Sequence, residues 1–368
     1  MSAFNLHVVQ ALHGDCLIVE HEDGGTRRFI LVDGGPAGVY EEHLKPYLTQ
    51  LVGAGGPLDL VVLSHVDDDH VVGVLELFAD IDLATVNGDT PPVALGELWH
   101  NSFRATVDED GGIAERTRQI LTMNGARQVA MTATASAFFG INQGNQLARA
   151  ATKLGIAVNA VTGGDVVMPE TVHNPVGRHG LEIHVIGPNQ ANLAALRDEW
   201  LDWLATHEHA ALVDPTTAAN ADKSVPNLSS IMLLLRSGGR SMLLTGDGRG
   251  DFIVQGLQQA GLMNGGTCHV DVLKVQHHGS NRNSKPDFFK TVTADTYVIS
   301  ADGKHGNPDL PTLQWIVDAA HADGRRITLH VTNDPPSLQQ LRASRPPAQH
   351  GYRLEVLQPG QHAFTINL

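Results

Sequence analysis

Cysteine is nearly missing from this chain: Cys16 and Cys268 are the 2 found among 368 residues. Both fall in strand-like segments without metal-type spacing. Neither a disulfide framework nor a thiolate metal site is expected, and reduced thiols are the simpler reading. Positive charge is also scarce. The chain carries 25 basic against 40 acidic residues, a net charge of −15, which disfavours long duplex nucleic acid because binding to it depends on clustered Lys and Arg. A small anionic substrate or a short single strand held by metal stays compatible. No apolar run nears the ~18 residues of a membrane span, and Met1 to His7 lack the basic and apolar regions of a signal peptide. A cytoplasmic location without membrane contact is expected. A Gly-x-Ser-x-Gly elbow is absent too, and Gly163-Gly164-Asp165 has no phosphate-loop lysine, so support is lacking for a serine hydrolase or a P-loop.

What is present is an ordinary globular composition, 42% hydrophobic and 18% charged, of a length that suits one large domain or two modest ones. Strands read at Leu6 to Val9, Cys16 to His21, Arg28 to Val32 and Leu58 to Leu63, with helical spacing over Glu41 to Val52 between the last two. The final third repeats the pattern. Strands at Ser230 to Leu235, Ser241 to Leu244, Val270 to Val275 and Thr296 to Ile299 alternate with helices at Phe252 to Ala260, Phe288 to Val292 and Leu310 to Ala322. Such β-α order with continuous apolar strands implies an α/β fold, its sheets covered by helices. Residues 80 to 226 are the least legible. They read as a mainly helical, insertion-rich segment suited to roofing a pocket or meeting a protein partner, and the helix from Leu193 to His209 uses Trp200 for core packing.

The densest signal is Ser64-His65-Val66-Asp67-Asp68-Asp69-His70, directly after the apolar strand. Two imidazoles and three carboxylates at one strand exit repel and desolvate each other unless a cation neutralises them. Further exits deliver Asp33, Asp247 and the pair His277-His278. His65 and Asp67, two apart, can point to one side of an extended segment, while Asp69 and His70 turn into the next helix. That spacing suits two adjacent metals. Two divalent ions ~3.5–4 Å apart make a nucleophile from water at neutral pH and stabilise both attacking and leaving oxygens. Asp247 is the candidate bridging carboxylate, Asp33 a residue that orients the ligand loop, and Asp68 a solvent-facing or capping residue.

The motif Ser-His-x-Asp-x-Asp-His with Gly73, the Gly246-Asp247 step and Leu273-Lys274-Val275-Gln276-His277-His278-Gly279-Ser280 resemble the metallo-β-lactamase superfamily. They are most similar to its branch related to the hydrolase domain of the DNA-uptake protein ComEC. Gly14-Asp15-Cys16, Asp33-Gly34-Gly35 and Gly187-Pro188 fall in the expected order. The resemblance implies an αββα sandwich spanning residues 1 to 368 as one metallo-hydrolase domain, with metals at an edge between the sheets. It implies His65 and Asp67 on a first metal, Asp69 and His70 on a second, Asp247 bridging, and a His of the last pair completing the second site. His277 is the expected ligand; His278 is the expected proton donor or further contact, with the reverse assignment open.

Departures from the family pattern concern the first metal. Asp67 stands where the commonest motif has His, and Asn227 where another His is usual. Oxygen in place of nitrogen suits Mn²⁺ or Mg²⁺ better than Zn²⁺, so manganese is expected as readily as zinc, with the first of two sites the weaker. Ser280, like Asn227 and His278, is a candidate for metal or substrate. Gly306-Asn307-Pro308, with His305 adjacent, replaces the relatives' Gly-His-Pro. The expected function is a metal-dependent hydrolase acting on a phosphodiester, nuclease-like, with Asp69, Asp247 and His278 in catalysis. Hydrolysis of a lactone, β-lactam or thioester is the alternative, and a metal-containing binding or regulatory module the third reading.

Overall fold

The protein is described by a computed structural model over residues 3–108, 111–123, 133–213 and 229–368. Its frame is two sheets. The first runs β17 (Ala363–Asn367), β1 (Phe4–Val9), β2 (Leu17–Asp23), β3 (Thr26–Val32), β5 (Leu60–Leu63), β7 (Glu97–His100) and β8 (Ala157–Val158). From β3 onward neighbours are parallel, and the other pairs are antiparallel. The second runs β16 (Tyr352–Val356), β15 (Ile327–Val331), β14 (Val292–Ile299), β13 (Cys268–Lys274), β12 (Arg240–Leu244), β11 (Met232–Ser237), β10 (Leu181–Gly187) and β9 (Val176–Arg178), parallel from β12 to β16. A small parallel pair, β4 (Gly56–Leu58) with β6 (Val93–Leu95), flanks the first sheet.

Strand alternation builds the layers. In β5, Leu60 and Val62 face the other sheet, meeting Leu233, Leu235, Met242 and Leu244, while Val61 and Leu63 face helices. Those helices include Asp68–Asn87 and Ala133–Lys153, packed through Val71, Val74, Leu77, Phe78 and Leu147. Beyond the second sheet, the helices Gly250–Gln259, Leu310–Ala322 and Pro336–Ser344 bury Ile253, Leu257, Leu313, Ile316, Leu338 and Leu341. The result is the αββα sandwich, since each sheet is apolar on both faces and needs a cover for each.

The structure differs from the sequence reading in three places. Leu58 to Leu63 divides at Asp59, whose carboxylate bonds Arg28 and the Phe29 amide, so β4 and β5 are separate strands. Residues 80 to 226 hold more than an insertion, because β7 lies inside the first sheet with a fully buried Trp99, and β9 and β10 close the second. Trp200 packs edge-on to Phe103 at 5.2 Å in a satellite core with Leu196 and Leu204, as expected of a packing helix. After residue 322 the chain adds β15 and β16 to one sheet, then returns to the other as β17 beside β1.

Candidate metal centre

The parallel strands of both sheets end at one edge, and their exits interlock there. Ile231 N–H donates to the Ser64 carbonyl (2.9 Å), the Ser300 hydroxyl donates to the Gly14 carbonyl (2.6 Å), and His277 N–H donates to the Gly246 carbonyl (3.1 Å). Glycine is required where these backbones touch. A Cβ on Gly14 would lie 1.9 Å from the Asp69 carbonyl oxygen, and one on Gly73 2.0 Å from that of Gly34. Asp33 (φ 60°), His277 (φ 49°) and His278 (φ 55°) adopt the left-handed conformation, which costs about 1–3 kcal/mol for each and persists only where the surroundings enforce it.

Four imidazoles turn their Nε2 atoms toward Asp247. His65 Nε2 is 3.8 Å and His277 Nε2 3.5 Å from Asp247 Oδ2; His70 Nε2 is 3.4 Å and His278 Nε2 3.5 Å from Oδ1. Asp67 lies 3.7 Å from His65 Nε2 on the first side. Asp69 lies on the second, its Oδ2 3.4 Å from His278 Nε2 and its Oδ1 3.8 Å from His70 Nε2. Asp247 thus offers one oxygen to each of two groups of side chains.

Each imidazole is held from behind through Nδ1. His70 Nδ1 meets Asp33 Oδ2 at 2.8 Å, His277 Nδ1 meets the Asn283 side-chain oxygen at 2.8 Å, and His278 Nδ1 donates to the Ser300 carbonyl at 3.0 Å. His65 Nδ1 rests against the hydroxyls of Ser64 (3.0 Å) and Ser230 (3.4 Å). Fixing Nδ1 in this way sets the tautomer and leaves Nε2 as the lone-pair donor. Among the described residues, the buried Nε2 atoms of His65, His70 and His278 have no hydrogen-bond partner. Buried polar atoms are nearly always satisfied, and convergence of orphaned nitrogens on a buried carboxylate fits a divalent cation. Two sets, His65-His70-Asp247 and Asp69-His70-His278, each bring their ligand atoms within 4.8 Å of one another and could hold one.

The charges agree with that fit. Burial works against ionising Asp247 and Asp69, yet surrounding imidazoles hold both carboxyls below the usual range: His277, His278 and His70 act on Asp247, and His70 and His278 on Asp69. Burial likewise opposes charge on His70, which the Asp247, Asp33 and Asp69 carboxylates raise well above an ordinary imidazole. Against the same opposition, Asp247 and Asp15 push His278 up to about 10. Without metal the carboxylates favour the charged forms of His70 and His278, and a cation would enter by displacing their protons.

The pairing of His277 and His278 departs from the expectation. His278, buried, is the one beside Asp69 and His70; His277 is 31% exposed at its side chain and faces the Asp247 oxygen on the His65 side. Consecutive left-handed residues send the two rings apart, their planes 84° to each other. The Asp33 carboxylate accepts from Ser64 N–H and Oγ–H at 2.7 Å each and also engages His70. Ser280 is drawn away into its own turn, where its hydroxyl accepts from Arg282 N–H. Asn307 donates to the His277 carbonyl (3.4 Å) from the C-terminal loop. Asp68 opens the helix Asp68–Asn87 outside the cluster. Asn227 lies outside the described residues.

Asp15, Lys274, Asn283 and Ser300 were not foreseen. Asp15 and Lys274, both buried, form an ion pair at 2.5 Å between the two sheets, and Asp15 Oδ1 is 3.4 Å from His278 Nδ1. Burial alone would raise the Asp15 carboxyl, but Lys274 and His278 hold it at about 2. The available signal was a lysine inside the apolar run Val270 to Val275, a position that a charge occupies only with a buried partner.

Residues 9–134 match the family described as Metallo-beta-lactamase superfamily, and the fold and the cluster at the sheet edge agree with that match. Together they support a metallo-β-lactamase-superfamily protein. It is ComEC-like in its similarity to ComE operon protein 3 of Bacillus subtilis (strain 168), 24% identical over 286 residues, which make up 76% of this chain and 25% of that protein. The chain therefore spans about a quarter of the length of that relative. A solved structure of the Acinetobacter baumannii Cap4 SAVED/CARF-domain containing receptor with the cyclic trinucleotide 3'3'3'-cAAA aligns over 98% of this chain and 64% of that one, at 11% identity. The TM-score is 0.14. Superfamily membership together with the His/Asp clusters supports a metal-dependent hydrolase. Among the described residues, no helix is long and apolar enough to cross a membrane.

Proposed function

We propose that this protein is a phosphodiester hydrolase working with two divalent ions. The observation that carries the reading is Asp247, whose two carboxylate oxygens face two separate groups: His65, Asp67 and His277 at one, Asp69, His70 and His278 at the other. Divalent ions, when bound, supply Lewis-acid stabilisation of the oxygens that enter and leave phosphorus. The residues supply the rest. Asp247 sets the spacing of the two groups; Asp33, Asn283 and Ser300 keep the imidazoles in the ligating tautomer; Asp15 and Lys274 fix His278 against the sheet edge. The first side offers two oxygens, from Asp67 and Asp247, and two nitrogens, from His65 and His277, a mixed donor set that suits Mn²⁺ as well as Zn²⁺.

The test is turnover of bis-p-nitrophenyl phosphate with Mn²⁺, set against a chromogenic cephalosporin with Zn²⁺. Phosphodiester cleavage that disappears in Asp247→Ala is expected. Cleavage of the cephalosporin alone would move the chain to the carbonyl hydrolases. Turnover of neither, with metal bound, would make it a binding module.

A further inference from the structure

The loop after β14 lies against the site and is tied to it at several points. Asn307 donates to the His277 carbonyl, Asp309 N–H donates to the Gly279 carbonyl (3.0 Å), and Asp309 Oδ2 accepts from Asn281 N–H (2.8 Å). At its tip, Lys304 N–H donates to Asp302 Oδ1 (2.8 Å), and a turn closes from Gly306 N–H to the Gly303 carbonyl (3.0 Å). This geometry carries the Lys304 ammonium to 3.3 Å from His13 Nε2, with the His305 ring centroid 5.4 Å from that of His13. His13 itself belongs to the turn that sits on the second ligand group, because Asp15 N–H donates to the Asp69 carbonyl (3.2 Å) and Gly14 touches that same oxygen.

We propose that Lys304, steadied by His13, binds an anionic phosphate group of the substrate at the rim beside Asp69; this rests on the phosphodiester reading above. The argument is one of charge and position. A chain of net charge −15 repels a phosphodiester over most of its surface, so an anion reaching the metals needs local positive charge on the approach. Lys304 is exposed, and its ammonium, like that of Lys285, has no carboxylate within ion-pair distance among the described residues, whereas Lys45, Lys153, Lys274 and Lys290 each have one; Lys304 is the one held against a ring on the turn beside Asp69. Accepting from an ammonium requires His13 Nε2 to be unprotonated. The imidazole therefore aims the lysine without competing for the anion. Asp302, the nearest acidic residue along the loop, spends its Oδ1 on backbone and shapes the turn.

The experiment uses the full chain loaded with Mn²⁺ and two readouts: kcat and KM for bis-p-nitrophenyl phosphate, and calorimetric binding of inorganic phosphate, which needs no turnover. Lys304→Ala is expected to raise KM and the phosphate dissociation constant about tenfold, as loss of a charge-assisted contact does, with kcat within about twofold. Lys304→Arg should recover most of the affinity, and the gap should narrow at about 0.5 M salt, where exposed charges are screened. His13→Ala, leaving the lysine unaimed, should cost about threefold. Unchanged phosphate affinity in Lys304→Ala, or a fall in kcat with KM constant, would overturn the assignment. Should the unaltered protein cleave no phosphodiester, the functional reading fails while the phosphate titration still decides whether Lys304 binds the anion.

Discussion

The two groups of side chains around Asp247 are unequal. On the second side the Asp33 carboxylate stands behind His70, and His278 donates to the Ser300 carbonyl with Asp15, itself paired with Lys274, 3.4 Å from the same nitrogen. On the first side His65 rests on hydroxyls and His277 on an amide oxygen; the carboxylates Asp67 and Asp69 are about equally exposed, at 25% and 23%, so the difference in solvent access lies in His277, 31% exposed, against the buried His278. A carboxylate behind an imidazole raises its basicity and fixes its direction, while a neutral partner does less. The lesson is that ligand strength here depends on what stands behind each ring as well as on the ligand types, so a cation is expected to bind more tightly on the second side than on the first.

The largest test removes what the sides share. Asp247→Ala should strip both metal equivalents, as read by elemental analysis, and lower kcat/KM on the order of a thousandfold; retention of one tight equivalent would mean that the sides do not depend on a common oxygen. Next in size, His278→Ala and His277→Ala should separate. Loss of the buried ring should abolish the tight equivalent, and loss of the exposed ring should weaken the loose one by about tenfold or more, with titration of the metal-free variants as the readout. Equal effects would erase the difference between the sides. Asp33→Asn keeps shape but removes charge behind His70, and should cost about 10–100-fold in affinity for the tight equivalent while sparing the loose one.

A smaller effect is expected from pH. In the metal-free protein, burial lowers His278, but Asp247 and Asp15 outweigh it and set its folded value at about 10, above the ordinary 6.5; His70 is raised in the same sense. A raised folded value stabilises below the unfolded one, so this contribution is complete below about pH 6.5 and fades as pH climbs toward 10. The melting temperature of metal-free protein should fall by about 2 °C or more over that interval, and bound Mn²⁺, which takes the place of the protons, should flatten the profile. A flat profile without metal would show that the imidazoles are not held charged by the carboxylates.

Much of the fold was legible because its strands carry apolar stretches that give way to polar residues: Leu60–Leu63 before Ser64, Met242 to Leu244 before Thr245, and the alternating Val270, Val272 and Leu273 before His277. Strand β7 was hidden by its brevity, Glu97–His100, and by Glu97, which reads as a surface residue yet accepts from Trp99 and pairs with Arg178 in the interior. β15 to β17 follow the last helix in the sequence reading and are short strands of mixed burial, and β17 has its partner, β1, at the other end of the chain.

By itself the sequence determined the chemistry on offer, since carboxylates and imidazoles at the ends of buried strands are a local pattern and the strand exits of an α/β sandwich collect at one edge. Only the tertiary structure decided how those groups are shared. Which of His277 and His278 meets Asp69 depends on two successive left-handed residues, and these break the alternation from which a side chain's direction could have been read. The Asp15–Lys274 pair joins opposite sheets across 259 positions of chain, a contact that exists only because the sandwich closes.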